Sequence, residues 1–354
     1  MKSNLILFFF IFLFFFSCKN EDVETESQSK EVKRDFPKVK KLSEYPKTEF
    51  LPTLENKISK DKNAVYCVTL LYAWDEVRKA IKTPLQIQST ENSKDLILLN
   101  NSTSFKNVLN DDEYISFGGI KKADEEFLFG RIIARAEFNK SLPFELDLNS
   151  FDNELIFKGI KVASFGTFGG GKDTYKTIKI LYYKNDNEFV IKLLPKDKQH
   201  EILLFKTKKQ FKNFAQMNNE LEKKKSLGKK ERKQESKSWK YYLQDEDEVI
   251  IPKFNFNIET NYSNIEGNTI TSSNKDYLIE LVYQRTAFIF DEKGAKLESE
   301  AEIMVAIEDL MEEEKPKPKK MRFDKPFFVL LKKVEATNPY FVLFANNTEL
   351  MVKE

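Results

Sequence analysis

The sequence predicts a globular protein of the α+β class, with strands and helices in separate runs of the chain. The 354 residues are 41% hydrophobic and 13% aromatic, a composition typical of a packed body. Strand-like runs of aromatic and β-branched residues recur between residues 178 and 344. Two stretches, residues 71–81 and 206–240, have helical character instead. The formal net charge of +2 gives no argument for nucleic-acid binding, so no nucleic-acid partner is expected.

The chain begins with an export signal. Lys2 supplies a positive start, and residues 5–16 are an apolar run too short to span a membrane as a mature helix. Cys18 follows Ser17 at the end of that run, which resembles the lipobox of bacterial lipoproteins. We therefore predict a signal peptide over residues 1–17 and lipidation of Cys18, which would anchor the exported protein at the outer membrane or cell surface. An ordinary cleaved signal or an uncleaved anchor is the alternative.

Residues 18–60 are predicted to be the lipidated cysteine and a disordered tether, because Glu, Lys, Ser and Pro dominate there without periodicity. The folded domain is expected over residues 61–354. Cys67 is then the remaining cysteine of the mature chain, so an intramolecular disulfide is excluded. It lies in an apolar run and is interpreted as a buried small hydrophobe.

The first predicted elements of the domain are a strand and a helix. Residues 64–81 begin with strand composition and continue with Leu71, Trp74, Val77 and Ile81 on one helical stripe. Farther on, residues 178–183 and 188–194 form a predicted hairpin around a polar turn. At the C-terminus, residues 327–331 and 340–344 are apolar on both faces, which predicts a hairpin in the middle of a core.

Residues 285–328 are the segment on which the functional prediction depends. A strand over residues 286–290 is followed by a turn, in which Gly294 can take a positive φ. Strict alternation follows, with one side largely charged and the other small or apolar: Ala295, Leu297, Ser299, Ala301, Ile303, Val305 and Ile307. An amphipathic helix over residues 299–314 is the alternative, and it would indicate a partner-docking arm.

This segment resembles the C-terminal part of a serpin: a strand ending in Asp-Glu-Lys-Gly, a loop, Phe-Asp-Lys-Pro-Phe at residues 323–327, and two final strands. Residues 132–144, 189–195 and 249–256 resemble other serpin strands in the same order, so the resemblance covers residues 127–350. It departs from the family pattern at residues 139–142. Several family helices also have no counterpart in residues 82–127.

The resemblance implies a large, mostly antiparallel sheet with smaller sheets, peripheral helices and a reactive-centre loop. That loop, residues 294–322, would be bait for a serine or cysteine protease and would insert into the sheet after cleavage. The implied hinge and loop residues are Glu292, Gly294, Ala295, Leu297, Ser299 and Ala301, with Met311 as a candidate cleavage site. Such a suicide-type inhibitor needs no cofactor and is not an enzyme.

Two departures favour the alternative, a non-inhibitory scaffold that binds a protein or polyanion partner. Leu297 is bulkier than the small residues of an inhibitory hinge, and its neighbours Lys296 and Glu298 are charged. The loop is also longer than usual for the family.

Two further motifs are candidate sites. Residues 166–172 fit GxxxxGK, but Asp173 stands where a phosphate loop needs Ser or Thr, so a flexible glycine loop is favoured over nucleotide binding or an unrelated enzyme. His200 is the one histidine; without a second histidine a zinc site is not supported, and the residue is interpreted as part of a loop.

Lysines and arginines recur between Lys206 and Lys233, in a stretch with helical composition. They could bind a polyanion, although solvated helix faces are the more common reason for such a run. Gly228 is predicted to separate two short helices.

Overall fold

Strands are the most common regular elements of the computed structural model, which describes residues 35–82, 84–121, 131–170, 173–273, 275–297 and 318–354. The strands, numbered in chain order, are β1 (Lys40–Lys41), β2 (Thr48–Phe50), β3 (Asn63–Cys67), β4 (Gln86–Ile87), β5 (Ile115–Lys121), β6 (Arg131–Glu137), β7 (Lys140–Pro143), β8 (Asn149–Phe157), β9 (Ile160–Phe168), β10 (Ile178–Asn185), β11 (Glu188–Leu193), β12 (His200–Lys206), β13 (Glu248–Pro252), β14 (Phe254–Asn261), β15 (Thr269–Ser272), β16 (Lys275–Leu278), β17 (Tyr283–Asp291), β18 (Gly294–Leu297), β19 (Lys320–Arg322), β20 (Phe327–Lys333) and β21 (Phe341–Ala345). The helices are α1 (Thr69–Ile81), α2 (Lys94–Asn101), α3 (Phe214–Glu231) and α4 (Glu235–Ser238).

A seven-stranded sheet of order β10-β11-β12-β20-β21-β3-β2 is the largest sheet among the described residues. The C-terminal hairpin β20–β21 lies at its centre, where Val329, Leu330 and Leu331 are fully buried. The prediction of a buried C-terminal hairpin is therefore confirmed. The β10–β11 hairpin is also confirmed and forms one edge of this sheet.

A second sheet has five strands in the order β1-β14-β17-β18-β7 and contains the predicted strand at residues 286–290. Its neighbours are a four-stranded sheet, β19-β13-β9-β8, and a three-stranded sheet, β16-β15-β4. The separate ribbon β5–β6 contacts helix α1. Mixed sheets with few helices make this an α+β fold.

Helix α1 follows β3 directly, as the pattern over residues 64–81 predicts. Leu71 and Trp74 are buried, whereas Val77 and Ile81 pack at the margin of the core. Among the described residues, no helix has the length and apolarity that crossing a membrane requires.

The predicted tether is wrong for residues 36–60, because Phe36–Glu354 forms one compact unit. Phe50, Leu51, Leu54 and Ile58 are buried, and β2 pairs with β3. These apolar residues are few and follow no period, so average composition hides them. Residues 1–34, which include Cys18, lie outside the described residues.

The prediction that Gly228 separates two helices is also wrong. Gly228 lies inside α3, which continues to Glu231. A Cβ at this position would lie 1.8 Å from the carbonyl oxygen of Leu181 in β10. The glycine therefore permits close packing of the helix on the sheet.

Candidate functional site

The hairpin that begins the predicted loop occupies an interior position in the five-stranded sheet. Strand β18, the leading strand, pairs with β17 through Ile289↔Lys296 and Phe290↔Ala295. On its other side it pairs with β7, from Gly294↔Pro143 to Leu297↔Lys140. Both pairings are antiparallel, so the leading strand separates two strands that run parallel to each other.

Gly294 is required at the start of the leading strand for two reasons. Its φ of 127° belongs to the region that glycine tolerates best. A Cβ would also lie 2.3 Å from the carbonyl oxygen of Leu142 in β7. The turn prediction at Gly294 is thus confirmed, and the close approach of β7 is an additional constraint.

The alternation predicted for the loop holds where the structure describes it. Ala295 and Leu297 are buried in the core, and Lys296 between them is half-buried on the opposite face. Residues 298–317, which include Ser299, Ala301 and Met311, lie outside the described residues.

Glu292, at the hairpin turn, forms an ion pair of 2.5 Å with Lys253. Burial alone would raise the pKa of Glu292, but the hydrogen bond that its carboxylate accepts from Lys253 and the charge of that lysine lower it. The carboxylate therefore remains ionised and attaches the turn to the segment between β13 and β14.

N-terminal to Ile289, residues 283–288 of β17 have no strand partner, within the described residues, on the edge that faces the leading strand. Residues 283–288 pair with β14 on the opposite edge. The side chain of Thr286 is buried, and its Oγ1 has no hydrogen-bond partner in the described part of the chain. Buried hydroxyls normally have such a partner, so this position is one where a further strand could contribute.

The chain returns through β19, the return strand, which pairs in parallel with β13. Just before it, Lys319 Nζ lies 2.6 Å from Asp247 Oδ2, and both side chains are fully buried. Asp247 Oδ1 accepts a hydrogen bond of 2.6 Å from the Lys319 amide. Arg322 adds a two-pronged contact with Glu248, with N···O distances of 2.9 and 2.7 Å.

Lys206, the first residue of the predicted polyanion site, is internal. It ends strand β12 rather than lying in a helix, and its Nζ lies 2.6 Å from Asp324 Oδ1. It also donates to the carbonyl oxygens of Asp186 and Arg322. Burial lowers its pKa against the opposing effect of Asp324.

Several other cations of this stretch contact carboxylates. Lys209 pairs with Glu220 at 2.7 Å, and Lys224 pairs with Glu188 at 2.7 Å. Lys225 contacts Glu222 at 2.9 Å. These contacts reduce the cationic surface that the sequence suggests.

The interpretation of His200 as a loop residue is wrong: it begins strand β12 and is 1% exposed. Its Nε2 lies 2.9 Å from Glu113 Oε1, and its Nδ1 lies 3.2 Å from the hydroxyl of Tyr340. Lys140 Nζ donates to the same Glu113 oxygen at 3.1 Å. Lys140 is the cross-strand partner of Leu297, so it connects this cluster to the end of the leading strand.

The cluster lowers the pKa of its two central titratable groups, His200 and Glu113. Burial and the charge of Lys140 lower the pKa of His200, against the opposing effect of the carboxylates. For Glu113, burial raises the pKa, but hydrogen bonds from the Asn110 amide, Lys333 and Lys140 outweigh it and lower the pKa to about 2. Glu113, Lys140, His200 and Tyr340 are far apart in sequence, so no local sequence pattern predicts that they meet.

The glycine motif is explained by packing. Gly166 belongs to strand β9, and a Cβ there would lie 1.8 Å from the carbonyl oxygen of Val249 in β13. Gly170 approaches the carbonyl oxygen of Leu243 in the same way. Residues 171–172 lie outside the described residues.

Cys67 is buried as predicted, and burial raises the pKa of its thiol to about 11.

Comparison with known proteins gives likenesses among solved structures only. No protein-family model and no curated protein match the sequence. Among solved structures, a cleaved serpin, Serpin 42Da, is similar with a TM-score of 0.34 and 10% sequence identity. The similarity covers 63% of this chain and 57% of that one, so the chain spans less than two thirds of the serpin's length.

Proposed function

We propose that this protein is a serpin-like lipoprotein that traps a serine or cysteine protease, with residues 294–322 as bait. The observation that carries the proposal is the position of the leading strand between β17 and β7. The predicted loop, residues 294–322, thus begins as a strand within the sheet over its first four residues.

In the proposed mechanism, the protease nucleophile attacks a peptide carbonyl of the loop and forms an ester or thioester, releasing the new amino terminus. The freed loop then extends the leading strand along the edge of β17. Burying Ile303, Val305 and Ile307 would contribute roughly 5–9 kcal/mol before ordering entropy is subtracted. Leu297 adds nothing to this sum, because it is already buried.

The observed register makes this proposal specific. Continued from Ile289↔Lys296, it brings Ser299 opposite Thr286 and Glu300 opposite Arg285. Ser299 would then supply the hydrogen-bond partner that Thr286 Oγ1 needs. The Glu300–Arg285 pair would join opposite charges on the outer face.

A trapping assay tests the mechanism. The soluble 24–354 fragment is incubated with a panel of serine and cysteine proteases. We expect an SDS-stable covalent complex with at least one protease, and a large rise in Tm after loop cleavage. Cleavage that leaves no complex and no change in Tm would contradict inhibition.

A cysteine cross-link tests the register. The pair Thr286→Cys and Ser299→Cys should form a disulfide after loop cleavage, because opposed residues have the required separation. The matched control, Ala287→Cys with Ser299→Cys, is displaced by one residue onto the other face and should link poorly. Equal linking in both pairs would contradict the register.

The alternative function is a non-inhibitory scaffold for a protein or polyanion partner. The burial of Leu297 before any cleavage favours it, since part of the insertion free energy is already spent. Under this alternative, the trapping assay gives simple cleavage while partner binding survives.

Membrane attachment through Cys18 is a separate proposal and has its own test. Cys18→Ala should move the exported protein from the membrane fraction to the soluble fraction. Unchanged fractionation would exclude lipidation as the anchor.

A further inference from the structure

The first residues of the compact unit, residues 36–41, cross the outer face of the five-stranded sheet. Lys40 and Lys41 form strand β1 at the sheet edge, in parallel with Ile258 and Glu259 of β14. The carbonyl oxygen of Pro37 accepts a hydrogen bond of 2.7 Å from Asn257 Nδ2. The segment is therefore attached to β14 by both backbone and side-chain contacts.

At the other end of this segment, Phe36 contacts the leading strand. Lys296 Nζ lies 4.9 Å from the centroid of the Phe36 ring. This is the distance at which a cation is attracted to an aromatic face. Residues 36–41 thus connect two strands that are not neighbours, β14 and β18, across the strand β17 between them.

Two observations on the same face indicate that residues 36–41 pack against the sheet. Arg285 Nε of β17 donates a hydrogen bond of 2.7 Å to Asn257 Oδ1, so Asn257 links β17 to the Pro37 carbonyl. Ile289 shares the outer face with its cross-strand partner Lys296, yet it is only 5% exposed. An apolar residue on an outward face is buried in this way where another segment covers it.

We propose that residues 36–41 are a strap that fastens the leading strand to the sheet, and that withdrawal of the N-terminal chain loosens it. The chain joins the strap at Phe36, so a pull from the N-terminus breaks the contact with Lys296 first. The contacts with Asn257 and β14 break only afterwards. This role of the strap does not depend on whether the loop inhibits a protease.

Hydrogen exchange in the full chain tests the strap. Phe36→Ala should raise the exchange rates of the Ala295–Leu297 amides roughly tenfold, because loss of the cation–π contact favours local opening. Lys296→Met should have at least the same effect, and adding Phe36→Ala to it should change the exchange rates little, since both substitutions remove the same contact. Exchange in the central strand β20 should stay unchanged.

Phe168→Ala is the matched control, because it removes a phenylalanine that is 51% exposed in a different sheet. It should leave exchange of the leading strand unchanged. The strap is refuted if Phe36→Ala leaves that exchange at the wild-type rate, if the two substitutions act additively, or if exchange in β20 rises equally. The trapping assay is not involved, so failure of the strap and failure of protease inhibition are distinguishable.

Discussion

The leading and return strands enclose the same loop but are held by different kinds of interaction. The leading strand is held by backbone pairing on both sides and by burial of Ala295 and Leu297. Within the described residues, the return strand pairs with β13 on one side only and is held in addition by the buried Lys319–Asp247 pair and by the Arg322–Glu248 contact. Backbone pairing can be extended by any residues that form a strand, whereas the two ion pairs require particular side chains.

This difference indicates which side of the loop can move. Backbone pairs are reproduced at each residue when a strand lengthens, so the leading side can grow. A buried charge without its partner is strongly unfavourable, so the return side has to stay in place. The comparison therefore predicts large effects of substitution at the return strand and local effects at the leading strand.

The largest effect is expected from Asp247→Asn. The change leaves the fully buried Lys319 without a counter-charge, so we expect a loss of about 3–5 kcal/mol in the free energy of unfolding. Urea denaturation measures it. Lys319→Met combined with Asp247→Leu should recover much of the loss, and a single-variant effect below about 1 kcal/mol would show that the pair is not desolvated.

Gly294→Ala should cost less and act locally. The positive φ alone implies about 1–3 kcal/mol of strain, and contact with the Leu142 carbonyl should separate the leading strand from β7. Urea denaturation and hydrogen exchange at residues 295–297 report the two effects. Gly159→Ala is the control, since its φ is 86° but a Cβ would meet nothing within 4 Å. Equal behaviour of the two variants would exclude the close approach of β7 as a cause.

The stability of the fold should respond to pH through His200, at the start of β12. Its folded pKa lies below the ordinary value of 6.5, so the unfolded chain binds the proton more readily. Stability should be full above pH 6.5 and should fall as the pH drops below it. His200→Gln should abolish this dependence, because the sequence has one histidine. Glu113, whose pKa is about 2, contributes only at lower pH, below 4.5. An unchanged slope in His200→Gln would refute the assignment.

The smallest effect is expected from Lys209→Gln. Lys209 is 52% exposed in its pair with Glu220, and exposed pairs contribute less than about 1 kcal/mol. Urea denaturation should therefore barely distinguish it from the wild type. A loss comparable to that of Asp247→Asn would contradict the contrast between surface and buried pairs.

Much of the fold was predictable because its strands have local patterns. The β10–β11 hairpin, the strand over residues 286–290 and the C-terminal hairpin each combine apolar composition with a polar connection. Predictions failed where the deciding partner is remote. The surroundings of His200 include Glu113, and the close packing at Gly228 is against the Leu181 carbonyl. Neither contact can be predicted from the residues adjacent in sequence.

The sequence by itself determined the strand periods, the turn at Gly294 and the apolar nature of the C-terminal hairpin, because period and turn chemistry are properties of adjacent residues. Only the tertiary structure decided that the leading strand lies between β17 and β7, that Lys319 meets Asp247 and that Phe36 meets Lys296. Those contacts join residues distant along the chain. Their free energy depends on burial and on the approach of other strands, which local patterns do not encode.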